Sequence, residues 1–281
     1  MINRMITRRS VLSLLCISPF LYSQRLDKER IWQDFLKWLK DAPIGEISNP
    51  YDFRKYRTKL LADGLPAEQV AQRLSVIYEF MLSRNEGMAL WFNKTYASGN
   101  DFFSRRPNAF LIQSIRDLTP GTALDVSMGE GRNSVYLAQQ GWTVSGFDIS
   151  DEGLSIARQN AKKAGVTIET ILSGYQEFDY GKSRWDLVAL FYAFFPIRNE
   201  TYIKKLEDSI RPGGVLVFEN HLFEGPPDQL DTMGMIGMPT QNELLKIFSR
   251  FRVLRYEETK AIPDWAFDKP SPLVRLLAQK R

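Results

Sequence analysis

Cysteine and histidine are almost missing from this sequence of 281 residues, which contains one of each, Cys16 and His221. Cys16 lies in an N-terminal segment whose pattern is typical of an export signal or an anchor. If that segment is removed, the remaining chain has no cysteine, which excludes disulfide bonds, thiolate metal sites and a cysteine nucleophile. We therefore expect no metal site.

An excess of basic charge is absent beyond the first thirty residues. The chain holds 37 Lys and Arg against 33 Asp and Glu, but residues 1–30 contain six of the basic groups and two of the acidic ones. The rest of the chain is therefore balanced, with 31 of each sign. Because a nucleic-acid surface needs clustered Lys and Arg, the composition favours a small-molecule partner and no nucleic acid.

A long hydrophobic run is lacking as well. The apolar stretch over residues 10–23 is about fourteen residues long, whereas a membrane-spanning helix needs about 20. The preceding Arg8-Arg9 pair and Ser10 resemble a twin-arginine export signal. We predict that residues 1–23 are a signal or anchor, which implies a periplasmic or membrane-anchored protein attached to a membrane only through this segment. The alternative is an amphiphilic N-terminal helix that stays attached.

Helical periodicity dominates residues 24–100. Apolar residues recur three or four positions apart, as in Ile31, Phe35 and Leu39 or in Val70, Leu74 and Ile77, and no strand pattern interrupts them. We predict a helical layer over residues 24–100, followed by a separate domain over residues 101–281.

Strands and helices alternate in residues 101–281, which predicts a doubly wound α/β fold. The last two strands lack a helix between them and should form an antiparallel hairpin. We therefore predict a mostly parallel seven-stranded sheet with an antiparallel C-terminal hairpin, preceded by a helical cap. The predicted strands are Thr122–Val126, Thr143–Phe147, Val166–Leu172, Trp185–Tyr192, Val215–Glu219, Phe251–Glu257 and Leu273–Gln279.

A glycine-containing turn follows the first of these strands. Gly129 and Gly131 stand between strand and helix, and Asp148 ends the next strand nineteen residues after Gly129. Glycines let a ligand approach the backbone, and an acid at this position can bind both hydroxyls of a ribose. The order favours nucleoside binding over a loop with a helix-capping acid. Ser134 replaces the third glycine of a dinucleotide fingerprint, which disfavours a pyrophosphate site.

With these motifs the sequence resembles the class I S-adenosylmethionine-dependent methyltransferases. The resemblance covers about residues 108–281 and includes Trp185-Asp186-Leu187-Val188 and Arg211-Pro212-Gly213-Gly214. The helix start after Gly131 is similar to that of the tellurite-resistance-type, small-molecule members. The resemblance implies S-adenosylmethionine as the cofactor.

The resemblance also implies roles for individual residues around the cofactor. Gly129 and Gly131, with Ser127 in the same loop, would border its methionine part, and Asp125 would lie near its ammonium group. Asp148 would hold the ribose, with Phe147 or Ile149 beside the adenine. Gly174 stands where many members have an acid for the adenine amino group; Gln176, Glu177 or backbone groups would replace it. Phe191 and Tyr192 would face cofactor and acceptor.

The catalytic candidates are fewer. His221, expected just beyond a strand, has a side chain suited to proton transfer near neutral pH, although a structurally hydrogen-bonded loop histidine is an equal alternative. Tyr192 and Glu219 are weaker candidates. Trp91 and Tyr96 would line an acceptor pocket or simply belong to the core.

Two further features concern the loop after His221. Residues 221–239, with Met233, Met235 and Met238, are predicted to form a mobile loop over the site, and Thr240 is predicted to cap the next helix in a capping box with Glu243.

The function that the sequence as a whole predicts is methyl transfer from S-adenosylmethionine to a small molecule. The alternatives are a non-catalytic S-adenosylmethionine-binding sensor or scaffold and a nucleotide-dependent oxidoreductase. Because the cofactor is made in the cytosol, its supply favours a cytoplasmic location, against the export-like N-terminus.

Overall fold

The computed structural model describes residues 27–43, 47, 49–99, 103–225, 237–265 and 269–281. The predicted export-like segment at residues 1–23 lies outside them, and the predicted boundary at residue 100 also falls on a residue that is not described. Both stay predictions. Among the described residues, no helix combines the length and the apolar character needed to cross a bilayer.

Four helices form a cap at the N-terminal side of the described chain. Their apolar faces pack into one buried cluster around Trp32, Phe35 and Ile77. Lys94 satisfies the end of the first helix, since its ammonium group donates to the carbonyl oxygens of Leu39 and Lys40. The cap helices are α1 Lys28–Asp41, α2 Arg54–Ala62, α3 Ala67–Ser83 and α4 Glu86–Ala97.

A seven-stranded sheet follows, with strand order β3-β2-β1-β4-β5-β7-β6. β7 alone runs antiparallel to its neighbours, β5 and β6, which confirms the predicted fold and its C-terminal hairpin. The strands are β1 Thr122–Val126, β2 Thr143–Asp148, β3 Glu169–Leu172, β4 Trp185–Phe191, β5 Ile210–His221, β6 Phe251–Ala261 and β7 Ser271–Lys280.

Helices cover both faces of the sheet. On β4, Leu187 and Ala189 join the buried cluster of one face, while Val188 and Leu190 join that of the other. The continuous apolar run of this strand follows from burial on both sides. The helices are α5 Ala109–Ile115, α6 Arg132–Gln139, α7 Asp151–Lys163, α8 Glu200–Ser209 and α9 Glu243–Ile247.

Several predicted strand boundaries differ from the observed ones by one to five residues. Two of these differences, and a wrongly predicted helix cap, have a clear local reason. β3 begins at Glu169 rather than Val166, because the Val166 N–H bonds to the Ala161 carbonyl at the end of α7, in a Schellman-type helix ending. β5 extends to His221, because its pairing with β7 continues to that residue. The cap of α9 is Asn242 rather than Thr240, although the Thr240 N–H does bond to the Glu243 carboxylate, over 2.7 Å.

The cap is docked directly on the sheet domain near the start of α7. The Asn93 side-chain oxygen of α4 accepts a hydrogen bond from the Ser150 hydroxyl, over 2.5 Å. Just before α4, the Asn85 amide donates to the Glu177 carboxylate, over 3.1 Å. These contacts place α3 and α4 over the carboxyl ends of the parallel strands, where sheets of this class bind ligands.

Candidate cofactor and acceptor site

A cavity of about 440 Å³ lies between the carboxyl ends of the strands and the cap. It brings together most of the residues predicted from the sequence: Asp125, Ser127, Gly129, Asp148, Ile149, Gln176, Phe191, Tyr192 and His221. Trp91 and Tyr96, from the cap, also line it. Of the predicted loop after His221, Met238 lines the cavity, and residues 226–236 lie outside the described chain.

Asp148 holds the glycine-containing turn in place. Its Oδ2 accepts a hydrogen bond from the Gly129 N–H, and its Oδ1 accepts one from the Ser150 N–H, both over 2.9 Å. Burial raises the pKa of this carboxyl group, while these N–H groups act against the rise. Because each carboxylate oxygen has a further lone pair, Asp148 can still accept from ribose hydroxyls.

Gly129 and Gly131 have different surroundings. Gly129 has a φ of +52°, and a Cβ there would lie 2.5 Å from the Tyr96 hydroxyl. Gly131 has a φ of +73°, and a Cβ there would lie 2.9 Å from the Cβ of Ala157 in α7. The structure therefore does not bring Gly131 to the cavity lining; its missing side chain lets α6 pack closely on α7. Its predicted contact with the methionine part of the cofactor stays a prediction.

Asp125 is buried below the same turn. The Ser134 hydroxyl donates to its Oδ2 over 2.6 Å. Burial raises the pKa of Asp125 to about 6, although the Ser134 hydrogen bond and the Arg132 charge act against the rise. Ser134, which stands in place of the third glycine of a dinucleotide fingerprint, thus donates a hydrogen bond to Asp125, an acid that lines the cavity.

Gln176, which lines the cavity, carries a buried acceptor. Its Oε1 is inaccessible to solvent and has no hydrogen-bond partner among the described residues. Next to it lies Gly174, where a Cβ would come within 2.7 Å of this oxygen. A buried carbonyl oxygen without a donor is rare and costly. Gln176 lines the cavity, so a rotation of its side chain would present this oxygen to an adenine amino group. With that rotation, the residues present suit the nucleoside part of S-adenosylmethionine.

His221 lies in a network that fixes its tautomer. Its Nε2 accepts the indole N–H of Trp265 over 3.1 Å, so Nδ1 carries the hydrogen and donates to the Ser271 hydroxyl, also over 3.1 Å. Burial lowers the pKa of this imidazole, which favours the neutral form. The structure places His221 on the cavity wall, with its basic nitrogen facing Trp265.

Tyr192 is held from below by a buried acid. Its hydroxyl donates to Oε1 of Glu219 over 2.6 Å, and the Asn108 amide donates to the same oxygen over 2.7 Å. Arg275 forms an ion pair with the other carboxylate oxygen. Tyr192 has a φ of +51°, which is unusual for a residue other than glycine and is common at functional sites. Burial and the Glu219 charge raise its pKa, so the phenol stays protonated.

The sequence patterns do not predict every residue of the cavity, and two aromatic ones that they miss are Trp265 and Phe103. Trp265 belongs to the connection between β6 and β7, and Phe103 lies before α5. Neither stands in a motif or in a periodic pattern, so only the folded chain reveals them. Glu219 does not line the cavity; its carboxylate accepts the hydrogen bond that holds the Tyr192 hydroxyl.

This geometry defines a class of protein: a doubly wound α/β domain with a nucleoside site at the carboxyl ends of its strands. Residues 123–214 match the family model described as a methyltransferase domain. The chain therefore contains a class I S-adenosylmethionine-dependent methyltransferase domain.

Named relatives agree with this assignment. Over 172 residues the chain is 23% identical to a Haemophilus influenzae protein named "Probable S-adenosyl-L-methionine-dependent methyltransferase TehB", covering 58% of this chain and 59% of the relative. Over 97 residues it is 32% identical to the ubiquinone biosynthesis O-methyltransferase of Shewanella pealeana, covering 34% and 41%. The matches thus span 59% and 41% of these relatives' lengths, less than two thirds in both cases.

Solved structures share the fold. The crystal structure of TehB from Haemophilus influenzae superposes with a TM-score of 0.51 at 20% identity, over 61% of each chain. A geranyl diphosphate methyltransferase in complex with GPP and sinefungin superposes with a TM-score of 0.51 at 15% identity, over 61% of this chain and 77% of that one.

Proposed function

We propose that this protein transfers a methyl group from S-adenosylmethionine to a small-molecule acceptor. The observation that carries the proposal is the single cavity that joins the Asp148–Gly129 turn and the orphan oxygen of Gln176 to an aromatic chamber beneath the cap. The family match of residues 123–214 supports the reaction class.

The chain's own residues would bind and align the reactants. The cofactor supplies an activated methyl group, so the protein mainly provides orientation and exclusion of water. Asp148 would bind the ribose, Gln176 the adenine amino group, and the loop containing Ser127 and Gly129 the methionine part. Phe191, at the end of β4, would lie between this part and the acceptor.

The cap supports a small acceptor rather than a macromolecule. Met88, Trp91, Phe92 and Tyr96 of α4 line the cavity, so the acceptor would lie below a roof of apolar side chains. Such partly enclosed, mostly apolar cavities suit small molecules. The balanced charge beyond residue 30 gives no support for a nucleic-acid acceptor.

Proton removal is needed only for acceptors that carry a proton on the attacking atom. The neutral His221 offers one basic nitrogen at the cavity wall, which is occupied by the Trp265 N–H. Tyr192 is not suited to the role of base, because its hydroxyl is already donated to Glu219. His221 is thus the better candidate, and Tyr192 would shape the wall.

The test is methyl transfer itself. The full chain is incubated with methyl-labelled S-adenosylmethionine and a panel of thiols, amines, phenols, carboxylates and metalloid oxyanions. Labelled product with any of these small molecules supports the proposal. Tight cofactor binding without a labelled product across the panel contradicts the catalytic proposal and favours the sensor or scaffold.

A further inference from the structure

One wall of the cavity consists of aromatic rings from separate parts of the chain. Ring centroids lie 5.4 Å apart for Tyr96 and Phe103, 6.2 Å for Phe103 and Trp265, 6.0 Å for Trp265 and Tyr192, and 5.4 Å for Tyr192 and His221. These five residues, here called the aromatic wall, all line the cavity. Tyr192 directly follows Phe191 at the end of β4, and His221 ends β5. The wall therefore begins beside Phe191, the residue that the proposed function puts between cofactor and acceptor.

The cationic side chains of the cavity are already paired. Among the described lining residues, the Lys and Arg side chains are those of Arg84 and Arg132. Arg84 forms an ion pair with Glu29, over 3.0 Å, and Arg132 forms one with Asp264, over 2.9 Å. An anionic acceptor would lose its hydration in the cavity without gaining an unpaired cation, which is unfavourable.

The wall contains one basic nitrogen, and an aromatic N–H already faces it. The Trp265 ring stands edge-on to His221, with an interplanar angle of 89° and a centroid distance of 5.8 Å, and its N–H donates to Nε2. The other nitrogen of His221 is bonded to Ser271. The imidazole is thus arranged to accept one hydrogen bond from an aromatic donor within the cavity.

We propose that the acceptor is a neutral, flat aromatic molecule with a hydroxyl or N–H group, which lies against the aromatic wall and donates to His221 Nε2 in place of Trp265. This inference rests on the proposed function and specifies its substrate class. The rings offer stacking and edge-to-face contacts, and the histidine selects for a donor group. A carboxylate, a phosphate or a metalloid oxyanion fits this chamber poorly.

Binding of matched probes to the full chain, saturated with S-adenosylhomocysteine, tests the inference by calorimetry at pH 7.5. 2-Naphthol carries the donor, 2-methoxynaphthalene has the same rings without it, 2-naphthoate is anionic, and tellurite represents the oxyanions. We expect 2-naphthol to bind at least about tenfold more tightly than 2-naphthoate or tellurite, and about threefold to tenfold more tightly than 2-methoxynaphthalene, the range of one hydrogen bond.

Two variants separate hydrogen bonding from ring packing. His221→Phe keeps a flat ring but lacks the acceptor nitrogen, so 2-naphthol and 2-methoxynaphthalene should bind it equally. Trp265→Phe removes the competing N–H, so 2-naphthol should bind at least as tightly as to the unmodified chain. Trp38→Phe, a change within the cap cluster away from the cavity lining, serves as the control and should leave 2-naphthol affinity unchanged.

Each contrary result has a distinct meaning. Tighter binding of 2-naphthoate or tellurite than of 2-naphthol would overturn the inference, as would a donor preference that persists in His221→Phe. If S-adenosylhomocysteine binds and no ring probe does, this inference alone is wrong. If S-adenosylhomocysteine itself does not bind, the proposed function fails first.

Discussion

The Ser134 hydroxyl donates a hydrogen bond to Oδ2 of Asp125 over 2.6 Å, and both residues are buried. Ser134 is the residue that breaks the dinucleotide fingerprint, and Asp125 is a buried acid at the cavity. One substitution in the motif therefore removes a feature of pyrophosphate binding and supplies the partner of an acid below the cofactor-binding turn.

The raised pKa of Asp125 predicts a pH-dependent effect on stability. Its value is about 6 in the folded protein against 3.8 ordinarily, because burial disfavours the charged form. The contribution of this carboxyl group to the free energy of unfolding is fully present below pH 3.8 and is lost as the pH rises through 6. We compare the free energy of unfolding of Asp125→Asn with that of the unmodified chain at each pH. The value of the variant minus that of the unmodified chain should be about 1 to 1.5 kcal/mol larger at pH 8 than at pH 5. Urea unfolding at both pH values measures this difference; an equal difference at the two values would show that Asp125 ionises normally.

A substitution at Gln176 should lower the affinity for the cofactor without lowering the stability of the fold. Its buried Oε1 has no partner in the described structure, so Gln176→Met removes an unsatisfied group and should leave the free energy of unfolding unchanged or raise it by about 1 kcal/mol. S-Adenosylhomocysteine affinity should fall about threefold to tenfold, because the adenine amino group loses its acceptor. Gln140→Met, at an exposed position, should alter neither quantity. Unchanged affinity in Gln176→Met would move the adenine contact elsewhere.

Tyr96 and Gly129 should be energetically coupled. Gly129→Ala adds a Cβ 2.5 Å from the Tyr96 hydroxyl at a φ of +52°, so it should cost the backbone strain of about 1–2 kcal/mol plus the clash. In a Tyr96→Phe background the clash disappears, since the next ring atom is 3.4 Å away, and the cost should fall by about 1 kcal/mol. Gly64→Ala, with a φ of +86° and no atom within 4 Å, should cost the same in both backgrounds. Additivity at Gly129 would mean that Tyr96 does not cover the turn.

Asp148 should contribute strongly to cofactor binding. Asp148→Ala removes a charged acceptor that also orders the Gly129 and Ser150 N–H groups. S-Adenosylhomocysteine affinity should fall about tenfold or more, because hydrogen bonds to charged groups contribute roughly 1.5–3 kcal/mol. Asp151→Ala, three residues further along the chain and exposed, is the matched control and should bind normally. Equal affinities of the two variants would remove Asp148 from the ribose site.

Local patterns predicted the parts of the molecule that depend on neighbouring residues. The alternation of strands and helices fixes the layers of the sheet, and the spacing from Gly129 to Asp148 brings turn and acid together, because the carboxyl ends of adjacent parallel strands meet at one edge. The apolar run of β4 likewise indicated a strand covered on both faces.

Features that depend on distant pairing were beyond the sequence. Trp265 reaches His221 across 44 residues, and Arg275 reaches Glu219 across 56; no periodicity links such positions. The length of β5 follows from its pairing with β7. Gly131 was predicted at the cofactor, but its place against Ala157 depends on how α6 packs on α7.

Cofactor recognition is the central claim, and a calorimetric titration of the full chain with S-adenosylhomocysteine and, separately, with NADH tests it most directly. The cavity geometry and Ser134 predict saturable one-to-one binding of S-adenosylhomocysteine and no saturable binding of NADH. Tight binding of NADH with no response to S-adenosylhomocysteine would contradict the assignment and favour a nucleotide-dependent oxidoreductase.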